Sequence, residues 1–175
     1  MGGRVLVTGA TGNVGIAVMR ALAETDFSAR ALVRSPGRAR AQLDEVAPGS
    51  EVVAGSFDGN RPGPELFDGV EGIFLLRPPA VGDVERLMFP FLHAAREAGV
   101  RRVVLLSLLG AQKMPFVPHR KLEKEIDRLG FDRAFLRAGF FMQNLDGLFR
   151  DFIREDDLLP APAGRSRTSF VDARD

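Results

Sequence analysis

RVLVTGATGNVG, residues Arg4–Gly15, is the stretch of sequence that decides the fold class. Val5–Val7 is a short apolar run that suits a buried parallel strand. Glycines follow at positions 9, 12 and 15, and the chain then takes up the apolar period of an amphipathic helix. A strand, a glycine turn and a helix in this order bring backbone N–H groups and a helix N-terminus to one point. That geometry receives a pyrophosphate.

Each glycine of this stretch has a predicted task. Gly9 permits the tight turn, Gly12 lets a ligand approach the backbone, and Gly15 lets the helix lie close to the sheet. The other predicted binding positions in the turn are Ala10, Thr11, Asn13 and Val14. A glycine triplet alone is weak evidence, but here the preceding strand and the following helix are both present. A structural strand-to-helix turn without a ligand is the alternative.

The rest of the chain alternates strand and helix patterns. Strands are predicted at 28–34, 51–57, 72–76, 101–109 and 133–139. Helices are predicted at 36–46, 64–67, 83–98, 119–129 and 140–154, with a kink or a first turn at Pro90. This alternation predicts an α/β fold, a doubly wound parallel sheet of Rossmann type with helices on both faces.

The length of 175 residues is consistent with one domain over residues 1–175. A Pro-, Ala- and Gly-rich stretch predicts a mobile tail over about residues 157–175, although Thr168–Val171 has the pattern of a further strand.

Composition excludes several classes of site and partner. A net charge of +1 gives no reason to expect nucleic acid or an anionic membrane as the main partner. We expect no membrane span and no signal peptide, because the apolar runs are too short. The absence of cysteine excludes disulfides and thiolate sites and fits a cytoplasmic protein. With only His93 and His119 available, we expect no metal site.

The sequence also contains no tyrosine and no tryptophan. No mechanism that needs a tyrosine phenol as its acid can therefore be carried out by these 175 residues. This excludes the epimerase and dehydratase chemistry that shares the first glycine motif but depends on that phenol.

The end of the second predicted strand bears on the choice of cofactor. An Asp or Glu there would accept hydrogen bonds from the adenosine ribose and repel a 2′-phosphate. This chain instead has Arg34, with Arg38 one helical turn further on. A guanidinium binds phosphate through two parallel N–H···O bonds, so the sequence favours NADP(H) over NAD(H). The alternative is that both arginines are solvated.

Parallel sheets bind ligands beyond the carboxyl ends of their strands, near the switch in strand order. This rule selects further candidate cofactor-binding residues after the third, fourth and fifth strands: Ser56, Phe57, Arg77, Pro78 and Ser107. Phe57 suits the face of an adenine ring and the core equally well.

Three features together resemble the NmrA-like atypical short-chain dehydrogenase/reductases. They are TGATGNVG at Thr8–Gly15, Arg34 after the second strand, and LRAGFFMQNL at Leu136–Leu145. The resemblance covers essentially the whole chain. That family includes NADPH-dependent quinone, azo-dye and triphenylmethane-dye reductases, and also redox-sensing regulators that bind NADP without turnover.

The resemblance also implies a catalytic residue. The family pattern after the fifth strand is similar to H-x-x-x-E, matched here by His119 and Glu123, and it replaces the tyrosine and lysine of the wider superfamily. His119 is then expected beside the nicotinamide and the substrate. The alternative is a solvated residue at a helix start that follows Pro118.

Four departures from the family pattern stand beside these matches. Leu108 and Leu109 follow Ser107 where relatives commonly have a second Ser or Thr, Ala138 replaces the usual Pro, and Ser56 replaces an acidic residue. The sequence ends at Asp175, where relatives continue into a part that covers the substrate. That C-terminal part is therefore expected to be missing from these residues.

The leading functional hypothesis is an NADPH-dependent reductase that transfers hydride to a small electron-poor acceptor such as a quinone or dye. Phe140, Phe141 and Met142 are candidates for an apolar platform, and Gln143 or Asn144 for a hydrogen bond to the acceptor. His119 is the candidate proton donor. The alternative is an NADP(H)-binding redox sensor without turnover. Either hypothesis allows a homo-oligomer or a protein partner.

Overall fold

The computed structural model describes residues 2–160 and 167–175, and the chain divides into two compact units, residues 1–137 and 138–175. The prediction of a single domain stays a prediction. The main sheet has six strands in the order β3-β2-β1-β4-β5-β6. They are β1 Arg4–Thr8, β2 Ser28–Val33, β3 Glu51–Ala54, β4 Val70–Leu76, β5 Arg102–Leu108 and β6 Asp132–Ala138.

The connections between these strands are helical. The helices are α1 Asn13–Ala23, α2 Pro36–Val46, α3 Val84–Leu87, α4 Phe89–Glu97 and α5 Pro118–Arg128, with short 3₁₀ helices at Pro64–Phe67 and Ala111–Lys113. Strand β1 pairs in parallel with both β2 and β4, and β2–β3 and β4–β5 are also parallel. The predicted Rossmann-like sheet is confirmed, and its strand order reverses between β1 and β4.

Alternating side chains of the strands supply two separate cores. Leu6, Ile73 and Leu105 point to the face covered by α3, α4 and α5. Val7 and Phe74, the next residues along β1 and β4, point to the face covered by α1 and α2. In the register, Leu6 lies beside Ile73 and Val7 beside Phe74, so each face receives a continuous apolar row.

The helix predicted at 83–98 is divided in two at the position that Pro90 indicates. Helix α3 ends at Leu87, and Pro90 lies in the first turn of α4, where its missing N–H leaves no hydrogen bond unmade. The prediction that Pro90 kinks this helix or marks its true first turn is therefore confirmed.

The prediction of a single helix at 140–154 is wrong. In the second unit, Phe140–Phe141 forms a short strand, β7, that pairs in parallel with β8, Phe170–Val171. Two short helices follow β7 along the chain, α6 Gln143–Asp146 and α7 Arg150–Asp156. The Phe140 N–H donates to the Ser169 carbonyl, and the Phe140 ring packs edge-on against Phe170. These partners lie about 30 positions away in sequence, a distance over which local periodicity reveals nothing.

The prediction of a mobile tail falls partly on residues 161–166, which lie outside the described residues. The strand predicted at Thr168–Val171 is confirmed at Phe170–Val171. Within residues 2–160 and 167–175, no helix has both the length and the apolar character needed to cross a membrane.

Replacing Gly15 by Ala should destabilise the chain strongly. A Cβ at this position would lie 2.7 Å from the Ala10 Cα and closer still to the Gly9 carbonyl oxygen. Because these neighbours are backbone atoms, they cannot move aside without distorting the turn. We therefore expect a loss of about 2–3 kcal/mol in the free energy of unfolding, measured by urea denaturation.

Gly37→Ala is the matched control. Gly37 lies in the first turn of α2, and a Cβ there meets nothing within 4 Å. Alanine has the higher helix propensity, so this variant should be unchanged or more stable by up to about 1 kcal/mol. Equal unfolding curves for the two variants would contradict the close-packing argument.

Candidate functional site

The glycine turn lies at the carboxyl end of β1, next to the reversal of strand order. Gly9 has φ +62°, a left-handed conformation that favours glycine. The Gly12 N–H donates to the Gly9 carbonyl at 3.0 Å and closes the turn. The Thr8 hydroxyl bridges to β4, accepting from the Leu76 N–H at 2.7 Å and lying 3.2 Å from the Leu76 carbonyl oxygen.

Helix α1 begins directly after this turn with an open N-terminus. Gly12 is its N-cap and has no side chain to cap the first N–H groups. A Cβ at Gly12 would meet only the Gly9 carbonyl oxygen, at 3.4 Å, so the space above the turn is free of protein atoms on that side. The first N–H groups of a helix lack intrahelical partners and favour an anion. These features fit the pyrophosphate of a dinucleotide.

Beside the turn, the end of β2 and the start of α2 enclose a cavity of about 460 Å³. It is lined by Thr11, Val33, Arg34, Ser35, Arg38, Ala39 and Gln42. The structure thus brings Arg34 and Arg38 to one cavity with Thr11 of the glycine turn. Gln42 was missed by sequence reasoning; its amide nitrogen lies 3.5 Å from the Thr11 carbonyl oxygen. The helical spacing from Arg38 to Gln42 could have revealed it.

Ser56 and Phe57 follow β3, as predicted, but they face different surroundings. Ser56 is exposed and lines a second cavity of about 290 Å³, which is also lined by Asp58 and Asn60. Phe57 is half-buried and packs edge-on against Phe91 of the core, with 5.2 Å between ring centroids. An adenine-stacking role for Phe57 stays a prediction.

Arg77 organises the loop that follows β4. Its guanidinium donates to the carbonyl oxygens of Pro78 (3.1 Å), Pro79 (3.2 Å) and Val81 (2.6 Å). The Arg77 Nε lies 3.5 Å from the His119 Nε2. Burial lowers the pKa of Arg77, but a guanidinium remains protonated in proteins. The strand end is therefore connected to the start of α5 by a fixed cation.

His119 is the second residue of α5 and is half-buried. Burial, and next the positive charge of Arg77, lower its pKa to about 4, against a smaller opposing effect of Glu123. Because Arg77 has only N–H groups to offer, it makes the His119 Nε2 the acceptor, and the ring proton is then on Nδ1. That Nδ1 has no hydrogen-bond partner among the described residues.

Glu123 lies one helical turn after His119 and is fully buried. Its carboxylate accepts from the Ser107 hydroxyl (2.8 Å), from Arg120 (3.0 Å) and from Arg137 (2.9 and 3.1 Å). Burial raises its pKa, and these hydrogen bonds together outweigh that effect and hold the pKa below its ordinary value. The Ser107 hydroxyl is thus directed towards Glu123, a contact that sequence reasoning did not anticipate.

The predicted acceptor-binding residues belong to the second unit. Phe141 is half-buried in β7, Met142 is exposed, and Asn144 lies in α6. The neighbouring Gln143 donates to the Asp172 carboxylate at 2.6 Å and accepts from the Ala173 N–H at 3.0 Å. It thereby ties α6 to the segment that follows β8.

Comparison with known proteins identifies the family of the chain. The NmrA-like family matches residues 1–175. The chain belongs to the NmrA-like family. Over 175 residues it is 34% identical to an NAD(P)H azoreductase of Xenophilus azovorans, covering 98% of this chain and 59% of the azoreductase.

Solved structures extend the likeness of this NmrA-like chain. The NADPH-dependent quinone oxidoreductase of Escherichia coli, solved with NADPH, superposes with a TM-score of 0.69 at 29% identity. That match covers 80% of this chain and 50% of the oxidoreductase. The negative transcriptional regulator NmrA, solved with NADP, shares the fold at a TM-score of 0.68 and 23% identity, covering 80% of this chain and 46% of NmrA. The chain spans between half and three fifths of the azoreductase and of the curated Escherichia coli quinone oxidoreductase.

Within the described parts of this NmrA-like chain, no group of three His, Cys, Asp or Glu side chains is placed to hold a metal ion.

We predict that His119 is neutral at pH 7 and titrates near pH 4. The chain has only two histidines, so NMR titration of the two imidazole C–H signals can be assigned with a His93→Gln variant. Arg77→Gln should raise the pKa of His119 only part of the way towards 6.5, because it removes the neighbouring positive charge and leaves the larger effect of burial in place. The charge-preserving Arg77→Lys should leave the pKa low. A wild-type His119 that titrates near 6.5 would contradict the buried placement.

Replacing Glu123 by Gln should cost about 3 kcal/mol of unfolding free energy at pH 7, because the surrounding arginines lose a buried counter-charge. The lowered pKa of Glu123 means that its carboxylate stabilises the fold fully above the ordinary carboxyl pKa of 4.5 and progressively less as the pH falls below it. The difference between wild type and variant should therefore shrink below pH 4.5. A difference that is constant from about pH 7 to about pH 3 would assign the effect to packing alone.

Proposed function

We propose that this chain binds NADPH and supplies the cofactor-binding part of a reductase that transfers hydride to a small electron-poor acceptor, such as a quinone or a dye. The observation that carries the proposal is the junction of two features at the switch in strand order. One is an uncapped helix N-terminus above a glycine turn, and the other is the adjoining cavity that holds Arg34 and Arg38.

The preference for NADPH over NADH rests on charge. Arg34 and Arg38 line the same cavity, and the described residues that line it include no carboxylate. An acidic residue there would repel a 2′-phosphate, whereas two guanidiniums favour it. In the Rossmann arrangement this position would receive the adenosine ribose, and the glycine turn with the start of α1 would hold the pyrophosphate. When bound, the cofactor supplies the hydride, and the chain's own residues bind and orient it.

The role proposed for His119 is hydrogen bonding rather than release of a proton from an imidazolium. With a pKa of about 4 the ring is neutral at pH 7, and its Nδ1–H is a buried donor without a partner among the described residues. Reduction of a conjugated acceptor needs orientation and some electrostatic help more than a strong acid. Such a reaction suits a site without a tyrosine phenol. Phe141, Met142 and Asn144 are proposed to contact the acceptor.

An NADP(H)-binding sensor without turnover is the second candidate. The observation that favours it is the hydrogen bond that the Ser107 hydroxyl donates to Glu123, which directs this hydroxyl to a buried partner. Leu108 and Leu109, which follow it, offer no polar side chain at the same strand end. The sensor would bind NADP(H) through the same turn and cavity and would pass its state to a protein partner.

Arg34→Gln should weaken NADPH binding at least about tenfold and leave NADH binding within about twofold, because a charge-assisted hydrogen bond to the 2′-phosphate is worth about 1.5–3 kcal/mol. Arg38→Gln should act in the same direction. Arg40→Gln is the control, since Arg40 is exposed on the same helix and does not line the cavity. Calorimetric titration with both cofactors measures these affinities, and tighter binding of NADH than NADPH by the wild type would refute the cofactor assignment.

Turnover is tested by the fall in NADPH absorbance with a panel of quinones and azo dyes. Oxidation that depends on the acceptor supports the reductase, and tight NADPH binding without oxidation by any acceptor supports the sensor. If Gly12→Val, which fills the space above the turn, binds NADPH as tightly as wild type, the proposed cofactor site is wrong.

A further inference from the structure

The loop from β5 to α5, residues 109–117, carries apolar side chains into solvent. Phe116 is 88% exposed, Leu109 58% and Met114 37%. Large apolar side chains grouped on one exposed loop are uncommon unless they meet a ligand or a partner. Of the residues of this loop, Ala111 is fully buried, whereas Leu109, Met114 and Phe116 lie outside the buried core.

This β5–α5 loop is held in a defined shape. Gly110 adopts φ +82°, and a 3₁₀ turn follows in which the Lys113 N–H donates to the Gly110 carbonyl at 2.9 Å. The Met114 N–H then donates to the Ala111 carbonyl at 3.0 Å, and the Val117 N–H to the Met114 carbonyl at 3.3 Å. These successive turns fix the backbone, so the exposed side chains are presented by an ordered surface.

The ends of the loop define what lies beside it. It starts after Leu108, the last residue of β5, and ends two residues before His119, whose Nε2 lies 3.5 Å from the Arg77 guanidinium. The loop therefore flanks a polar edge of one cation and one neutral imidazole. A ligand that meets both surfaces needs an apolar body and an acceptor atom, as a conjugated aromatic carbonyl has.

We infer that the β5–α5 loop forms an apolar binding surface for the aromatic body of the acceptor, with Phe116 as the residue that determines specificity for ring size. The class of ligand in this inference, an electron-poor aromatic acceptor, is taken from the proposed function, and the inference rests on it. It assigns acceptor contact to a loop of the first unit.

The absence of tryptophan and tyrosine makes this inference directly measurable. Phe116→Trp introduces a single tryptophan, and Glu45→Trp is its matched control. Glu45 is exposed in the last turn of α2. This turn lies towards the amino ends of the strands, away from the carboxyl ends where the loop lies. A naphthoquinone should quench the tryptophan emission of the Phe116→Trp variant saturably, as expected for binding. Quenching of the control should be collisional and should rise linearly with the naphthoquinone concentration. Equal linear quenching of both variants would overturn the inference.

Steady-state kinetics gives the second test. Phe116→Ala should raise the KM for a naphthoquinone about five- to tenfold and that for a one-ring benzoquinone less, because less apolar surface is buried against the smaller ring. Phe116→Leu should restore most of the loss, and the Kd for NADPH should stay unchanged. A KM unchanged for both quinones would contradict the inference.

Two further outcomes separate the hypotheses. Saturable quenching of Phe116→Trp without any NADPH oxidation would support the loop as a binding surface and refute the reductase. Emission that is blue-shifted before ligand is added, and that shifts back to the red on dilution, would show a second copy of the chain on the loop and would overturn the inference.

Discussion

The close approach of helix α1 to the end of strand β1 is the constraint on which the rest of the site depends. Gly15 is packed so tightly against the backbone of Gly9 and Ala10 that no other residue fits without displacement. This contact sets the position of the helix N-terminus above the turn. Because Thr8 joins the same strand end to β4, the proposed cofactor site and the reversal of strand order share one hydrogen-bonded strand end.

Buried charges organise the surroundings of this strand end, and each has its partners. Arg30 is 5% exposed and joins Glu51 of β3 to the carbonyl oxygens of Glu65 and Leu66 in the first 3₁₀ helix. Glu123 performs the same task at the other end of the sheet, where it connects α5 to β5 and β6. A buried charge is costly unless it is fully hydrogen-bonded, so these networks specify geometry more than they add stability.

Local sequence predicted most of the first unit. The bounds of α2 at Pro36–Val46 and the break at Pro90 follow from proline chemistry and apolar period, which act over a few residues. The same reasoning failed over residues 140–154. There the strand Phe140–Phe141 forms because Phe170–Val171 supplies its backbone partners, and helical period cannot reveal a partner so distant in sequence.

By itself the sequence determined the Rossmann class, the glycine turn and the presence of arginines after β2, because each depends on residue type and short spacing. Only the tertiary structure decided the protonation of His119, since its low pKa comes from burial and from Arg77, 42 positions earlier in the chain. Only the tertiary structure, too, directed Ser107 to Glu123 and left Phe116 in solvent. Hydrogen bonding, electrostatic fields and burial depend on distances between side chains, which the order of residues along the chain does not specify.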